Sequence, residues 1–323
     1  MTGRGYEEDF CGIAHHLCFQ TSVHALDKVR IGFPDRAAQF VPLPLAEQRG
    51  FFREEGLQAE FIRIAPTVAI AALVSGEIDY YTSIGSGVAA MIRGLPVKVV
   101  ACFLPSAPIA LIARSEFKSV RELKGKTIGV NTYGSPIEVI GRLIVKHFGM
   151  DPENEVKFLA TGVIESRFAA MSQGLTVATL GSAPIDFLGK KQGFVVLASA
   201  HELFSYPASG LSVTVKKIKE KPDEVKRIIK AGIKANRYIP QNRAGTIQII
   251  AAWLKIDQEL ATATYDSVSK AFNSDGNIPE DGLRLVIEEA KKTAKLTREV
   301  SVSQVEDLSI LKEAQKEMGI KSF

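Results

Sequence analysis

The side chains best suited to chemistry in this chain stand directly after short apolar runs. Pro34-Asp35-Arg36-Ala37-Ala38-Gln39 follows the first run, Pro66-Thr67 the second and Ser83-Ile84-Gly85-Ser86 the third. Farther along, Asn131-Thr132-Tyr133-Gly134-Ser135, Gly162-Val163-Ile164-Glu165-Ser166-Arg167 and Gly181-Ser182-Ala183-Pro184 fill the same position. Short hydroxyl side chains, with free backbone N–H groups at helix starts, can hold a small polar or anionic ligand. Each group also has a plainer use. Ser135 serves equally as a helix cap, and Glu138 in the same first turn opposes an anion. Thr67, Ser86 and Thr132 can be caps. Arg36 can grip a sulfonate or carboxylate with two parallel bonds, or pair with Asp35, or face water. Tyr133 can stack on a ligand or pack on its own unit. The recurrence of such loops at corresponding places is what points to binding.

Catalytic signatures do not stand beside them. The sequence has no Walker-type GxxxxGK(S/T), no GxGxxG, no HExxH and no GxSxG; Gly85-Ser86-Gly87 does not complete a dinucleotide pattern. His147 falls near a helix end, where a cation suits the dipole. His201 precedes Glu202 in a loop, a thin basis for acid–base work, and His15-His16 reads as solvated. Cys11, Cys18 and Cys102 form neither a metal spacing nor a CxxC pair. The expectation is a binding protein, not an enzyme, with no cofactor and no metal.

These loops need a frame. A chain of 323 residues suggests about two domains of ordinary size. With 24% charged and 46% hydrophobic residues it is a globular composition, neither disordered nor fibrous. A formal charge of +4 without a basic stripe leaves no footprint for nucleic acid. The densest positive stretch, Lys216 to Lys221, includes Glu220 and reads as a solvated helix start. No run approaches the roughly 18 apolar residues of a membrane span.

Val29–Pro34, Ala59–Ala65, Ile78–Ile84 and Val97–Leu104 read as buried strands. Between them lie helical runs near 38–49, 67–75 and 86–93, closed by Gly50, Gly76 and Gly94. A second set has strands at Ile109–Ala113, Lys126–Asn131, Val156–Gly162, Val177–Pro184 and Phe194–Ala200, and a helix at 165–173. Ser119–Glu122 and Ser135–Glu138 look like capping boxes. Five helices follow at about 222–239, 244–254, 257–271, 279–294 and 303–317. The halves echo each other. Arg30-Ile31-Gly32 matches Thr127-Ile128-Gly129 at an offset of 97, and Ala71-Ala72 through Gly76 matches Ala169-Ala170 through Gly174 at 98. Two α/β lobes of one design would face each other across a cleft.

The same residues carry a family resemblance. Gly32-Phe33-Pro34 through Pro42-Leu43-Pro44-Leu45-Ala46 to Gly50-Phe51-Phe52 and Gly56-Leu57 resembles the opening of the nitrate/sulfonate/taurine substrate-binding proteins of ABC importers. That group is related to the thiamine-pyrimidine-precursor binding proteins. Ala71–Asp79, Ser119–Val130 and Ala170–Gly174 fit as well, so the resemblance spans about 29–320. It implies an α/β, two-lobed periplasmic-binding-protein fold (type II) with an inter-lobe ligand cleft. Residues 29–107 and 212–323 would form the first lobe and 108–211 the second, with crossings near Ala107–Ala110 and Ala208–Ser212. By position, ligand contacts would fall on Arg36, Gln39, Thr67, Ser83, Ser86, Thr132, Tyr133, Gly134, Ser182 and Tyr206.

The resemblance further implies a monomer outside the cytoplasm that hands a small organic anion, sulfonate- or carboxylate-like, to a membrane permease. Tyr133, Tyr206 and Phe40 would suit its apolar tail, and Arg36→Ala should weaken it by about 1–3 kcal/mol. The alternatives are a pyrimidine-precursor binding protein or a pyrimidine synthase-like enzyme on the same fold. An effector domain of a transcription regulator would need a helix-turn-helix, for which 28 leader residues are too few. Two departures stand out. Residues 1–28 carry Glu7, Glu8 and Asp9 where a secretory signal would be basic and apolar, so the chain as written is cytoplasmic or lacks its true start. Val177 stands where Asp79 has its second-lobe counterpart.

Overall fold

The computed structural model describes Met1 and residues 25–321; Cys11, Cys18, His15 and His16 lie outside the described residues. The chain lays down β1 (Asp27–Phe33), passes a 3-10 turn, Ala38–Phe40, and forms α1 (Pro42–Gln48) and α2 (Phe51–Glu54) before β2 (Leu57–Arg63). Then come α3 (Pro66–Ser75), β3 (Tyr80–Ser83), α4 (Ile84–Ile92) and β4 (Val97–Leu104). Gly76, at φ 82°, closes α3 in a left-handed conformation that only glycine adopts cheaply. β4 is buried along nearly its whole length, as a continuous apolar run inside a sheet must be.

A second unit follows: β5 (Ile109–Ala113), β6 (Thr127–Val130), α5 (Pro136–His147), β7 (Lys157–Ala160), α6 (Ile164–Ser172), β8 (Ala178–Ser182), α7 (Ile185–Lys191), β9 (Val195–Ser199) and α8 (Ala200–Leu203). β10 (Ser209–Thr214) then returns to the first unit with α9 (Val215–Glu220), α10 (Pro222–Gln241), α11 (Arg243–Leu254), α12 (Gln258–Val268), α13 (Glu280–Ala294), α14 (Val302–Val305) and α15 (Ser309–Glu317). None of the described helices is long and apolar enough to cross a membrane.

The two sheets share one plan, β2-β1-β3-β10-β4 and β7-β6-β8-β5-β9. In each, three parallel strands are joined by an antiparallel fourth, and that fourth is the strand just arrived from the other unit. The offset repeat is thus structural. Asp79 N donates to Arg30 O at 2.8 Å, and Val177 N donates to Thr127 O at 3.0 Å, the same bond in both lobes. The main core of the first lobe fills the side under α1, α10, α11 and α15; a separate cluster, around Leu111, Ile128, Ile144 and Leu180, fills the second lobe beneath α5.

Four local expectations need correction. Ser209–Ser212, placed at a crossing, already belong to β10, a strand hidden by its polar content. Both serines are buried, and Ser212 Oγ donates to Ser83 O at 3.3 Å. The helix expected over 303–317 breaks into α14 and α15, because Glu306 bridges to Val99 and Asp307 N donates to Val99 O at 3.0 Å. Ser119–Glu122 opens only a 3-10 turn, Val120–Leu123; Ser119 Oγ donates to the Glu122 carboxylate at 3.0 Å instead of accepting from the backbone. Lys217 is not solvated. Its ammonium lies 3.0 Å from Asp79 and 2.9 Å from Glu224, which also accepts from Tyr80 OH at 2.9 Å.

Candidate functional site

Strand direction decides which edges of the sheets meet. β4 runs parallel to β3, since β10 is antiparallel to both, so β4 ends on the same edge as β1 and β3. The chain crosses there to the start of β5, which is antiparallel to β8 and therefore begins at the carboxyl edge of β8. The return from β9 to β10 joins the same two edges. The carboxyl ends of both parallel sets thus face each other. Within each set the connections diverge, from β1 and β3 in one lobe and from β6 and β8 in the other. Ligands of α/β sheets bind outside such divergence points.

On the first wall, Ser83 caps α4. Its Oγ accepts from Ser86 N at 3.4 Å and from Ser86 Oγ at 3.1 Å, so the two serines are brought together. The neighbouring Tyr81 hydroxyl is buried with no partner among the described residues. Desolvation pushes its pKa up to about 12, Ser86 pulling it down and Asp35 pushing it up. The Asp35 carboxyl is itself raised by desolvation, against the pull of Arg63. Arg36 is engaged from below: Nη1 donates to Trp253 O at 3.1 Å, and the guanidinium sits 5.0 Å from the indole centroid. Gln39 lies in the 3-10 turn. Phe40 is buried in the core and offers nothing to a tail. Thr67 lines a hollow of about 500 Å³ between α3 and α4, beside Ala71, Val74 and Arg93, with none of the other candidates.

The second wall corrects the expectation of an anion at the start of α5. Glu138 takes that place itself, accepting from Gly134 N at 2.5 Å, and Arg142 neutralises it at 2.7 Å. Ser135 Oγ donates to Asn131 Oδ1 at 2.5 Å and accepts from Glu138 N at 3.3 Å. Thr132 and Tyr133 are exposed, Tyr133 to 64%. Ser182 is exposed at the end of β8. Tyr206 lies on the return crossing, where its N donates to Pro105 O at 2.9 Å and Ala208 N donates to Leu104 O at 3.0 Å, tying the two crossings together. Burial raises its phenol, and Glu289 adds to the effect.

Two hollows flank the cleft. On one side a groove of about 790 Å³ runs between α7 and α12, lined by Asp186, Phe187, Lys190, Glu259 and Asp266. Ser267 Oγ bonds both Asp186 carboxylate oxygens at 2.9 Å, and Lys191 pairs with Glu259 at 2.6 Å, so this side already bridges the lobes. On the other side a cavity of about 150 Å³ is lined by Gly85, Gly134, Pro136, Tyr206 and Glu289. Gly134 and Tyr206 of the expected contacts reach the smaller hollow, and none lines the larger. The larger groove joins helices about 70 residues apart in sequence, a juxtaposition that no local pattern announces. Arg167 ends one of the polar loops read from the sequence but is not among the ten expected contacts, although the spacing Ile164, Arg167-Phe168, Met171 puts it on the buried face of α6.

A family model described as NMT1/THI5 like matches residues 37–244. The riboflavin-binding protein RibY of Chloroflexus aurantiacus is 26% identical over 256 residues, covering 70% of this chain and 72% of RibY. The 4-amino-5-hydroxymethyl-2-methylpyrimidine phosphate synthase THI5 of Saccharomyces cerevisiae is 30% identical over 141 residues, 39% of this chain and 41% of its own. In structure, the periplasmic sulfonate-binding protein SsuA of Methylobacillus flagellatus superposes with a TM-score of 0.76 at 18% identity, covering 93% of this chain and 97% of that one. That likeness shows the two-lobed periplasmic-binding-protein fold. Because the family model spans well over half of the sequence, from the turn after β1 into α11, this chain belongs to the NMT1/THI5-like family.

Proposed function

We propose that this protein is the solute-binding component of an ABC importer, acting outside the cytoplasm as a monomer. It captures a small organic anion, sulfonate- or carboxylate-like, between its lobes and hands it to a membrane permease. The observation that carries this reading is the meeting of two carboxyl sheet edges across the two crossings of the described residues, bonded to each other at Tyr206 and Ala208. Such a joint lets two rigid units close on a solute by small backbone changes at a few positions. The names of RibY and SsuA, both binding proteins, support it. The second reading, a pyrimidine-precursor binder or synthase-like enzyme, rests on the partial likeness to THI5. Against catalysis by a thiolate, Cys102 is buried and desolvation holds its thiol protonated.

The test is calorimetric titration of refolded protein with alkyl and aryl sulfonates, taurine, carboxylates, nitrate, riboflavin and hydroxymethylpyrimidines. One-to-one binding of an anion recovered intact is the expected result. Chemical turnover of a pyrimidine or its precursor would replace this reading with the enzyme.

A further inference from the structure

A guanidinium with no counter-ion among the described residues sits at the divergence point of the second lobe. Arg167 on α6 is 7% exposed. Its Nη1 donates to Leu180 O near the carboxyl end of β8, and its Nε is buried with no partner among the described residues. The pairing of β6 with β8 stops at Gly129 and Thr179, so Leu180 lies where the two strands begin to part. Burial lowers the pKa of Arg167, and Glu165, exposed on the same helix, is the one carboxylate whose charge opposes this. Lys291, the other lysine or arginine buried to this degree among the described residues, is paired with Glu288 at 2.9 Å, and the partly buried Lys217 and Arg142 also have carboxylate partners. An unpaired buried charge is costly, and an arriving anion removes that cost. With Nη1 spent on Leu180, the Nε–Nη2 edge keeps the planar two-donor geometry that suits two oxygens of a carboxylate, sulfonate or phosphate.

We infer that Arg167 is the anchor for the acidic group of the captured solute, which enters the cleft with its oxyanion toward β6 and β8 and the rest of the molecule toward the first lobe. This rests on the solute-binding reading above. It moves the charge recognition from Arg36, already stacked on Trp253, and from the start of α5, already filled by Glu138.

The test compares charged and uncharged partners of similar shape: benzenesulfonate with benzenesulfonamide, benzoate with benzamide, flavin mononucleotide with riboflavin. Each is titrated into the wild type, Arg167→Met and Arg167→Lys, and each ligand-free protein is melted. The wild type should prefer the charged member of at least one pair by about tenfold or more. Arg167→Met should lose that preference while melting, ligand-free, at or above the wild type, because an uncompensated buried charge has been removed. Arg167→Lys keeps the charge but not the planar edge, and should keep the preference while binding about tenfold more weakly. A methionine variant that melts several degrees lower with the preference intact would make Arg167 a packing residue and leave the receptor reading standing. Undiminished binding by the lysine variant, or equal wild-type binding of charged and neutral members, would overturn the inference in the same way. A wild type that binds no member of any pair would sink both.

Discussion

Asp79 is a carboxylate whose neighbours set its titration. Desolvation raises its pKa, but the Arg30 N–H at 2.8 Å, the Lys217 ammonium at 3.0 Å and the Arg30 side chain outweigh that and hold it below the ordinary 3.8. A carboxyl depressed in the folded state contributes stability that is complete above its unfolded pKa and is lost as pH falls through the range beneath 3.8. Asp79→Asn should therefore lower stability at neutral pH by about 1–3 kcal/mol and flatten the acid limb of a melting-temperature profile. Parallel limbs for mutant and wild type would show that Asp79 does not drive acid unfolding. At this scale the sequence was only partly legible. Lys217 reads as solvated because the residues that neutralise it, Asp79 and Glu224, arrive from other elements. Arg36 reads as an anion contact, a partner of Asp35 or a solvated cation, because Trp253, which holds it, lies 217 residues away. The self-capping role of Glu138 was visible, since its partners fall within one turn.

Elements whose pattern is continuous and apolar, such as β4, or amphipathic over several turns, such as α10 and α13, were readable to within a few residues. β10 was not, because Ser209, Gly210 and Ser212 break the apolar run. Their small size is the reason they are there. Gly87 on α4 abuts Ser212, and a Cβ at Gly87 would overlap the Ser212 side chain. Gly87→Ala should push α4 off β10 and destabilise the protein by about 1–3 kcal/mol by chemical denaturation. Adding Ser212→Gly should return part of the loss, a coupling expected of touching residues. Additive effects would mean that α4 and β10 do not meet as described. The break between α14 and α15 has a similar origin: the edge of β4 captures Glu306 and Asp307, and local helical preference yields to it.

At the scale of the whole molecule, the contact most open to test is Ser267 with Asp186, which ties α12 of one lobe to α7 of the other. Ser267→Ala removes a bond worth about 0.5–1.5 kcal/mol, enough to shift an open–closed balance several-fold toward open. Small-angle scattering of the ligand-free variant should then give a larger radius of gyration than the wild type; an unchanged radius would mean that this bond does not set the lobe spacing. The exchange of strands between the sheets bears on how the molecule is made. All five strands of the second sheet lie in one stretch, from Ile109 to Ser199, whereas β4 has no place beside β3 until β10 has been synthesised and slotted between them. On the ribosome, then, the later unit is the first that can finish. The earlier one waits with an apolar strand uncovered for more than a hundred residues of further growth. Pulsed hydrogen exchange during refolding should find β5, β6 and β8 protected ahead of β3 and β4.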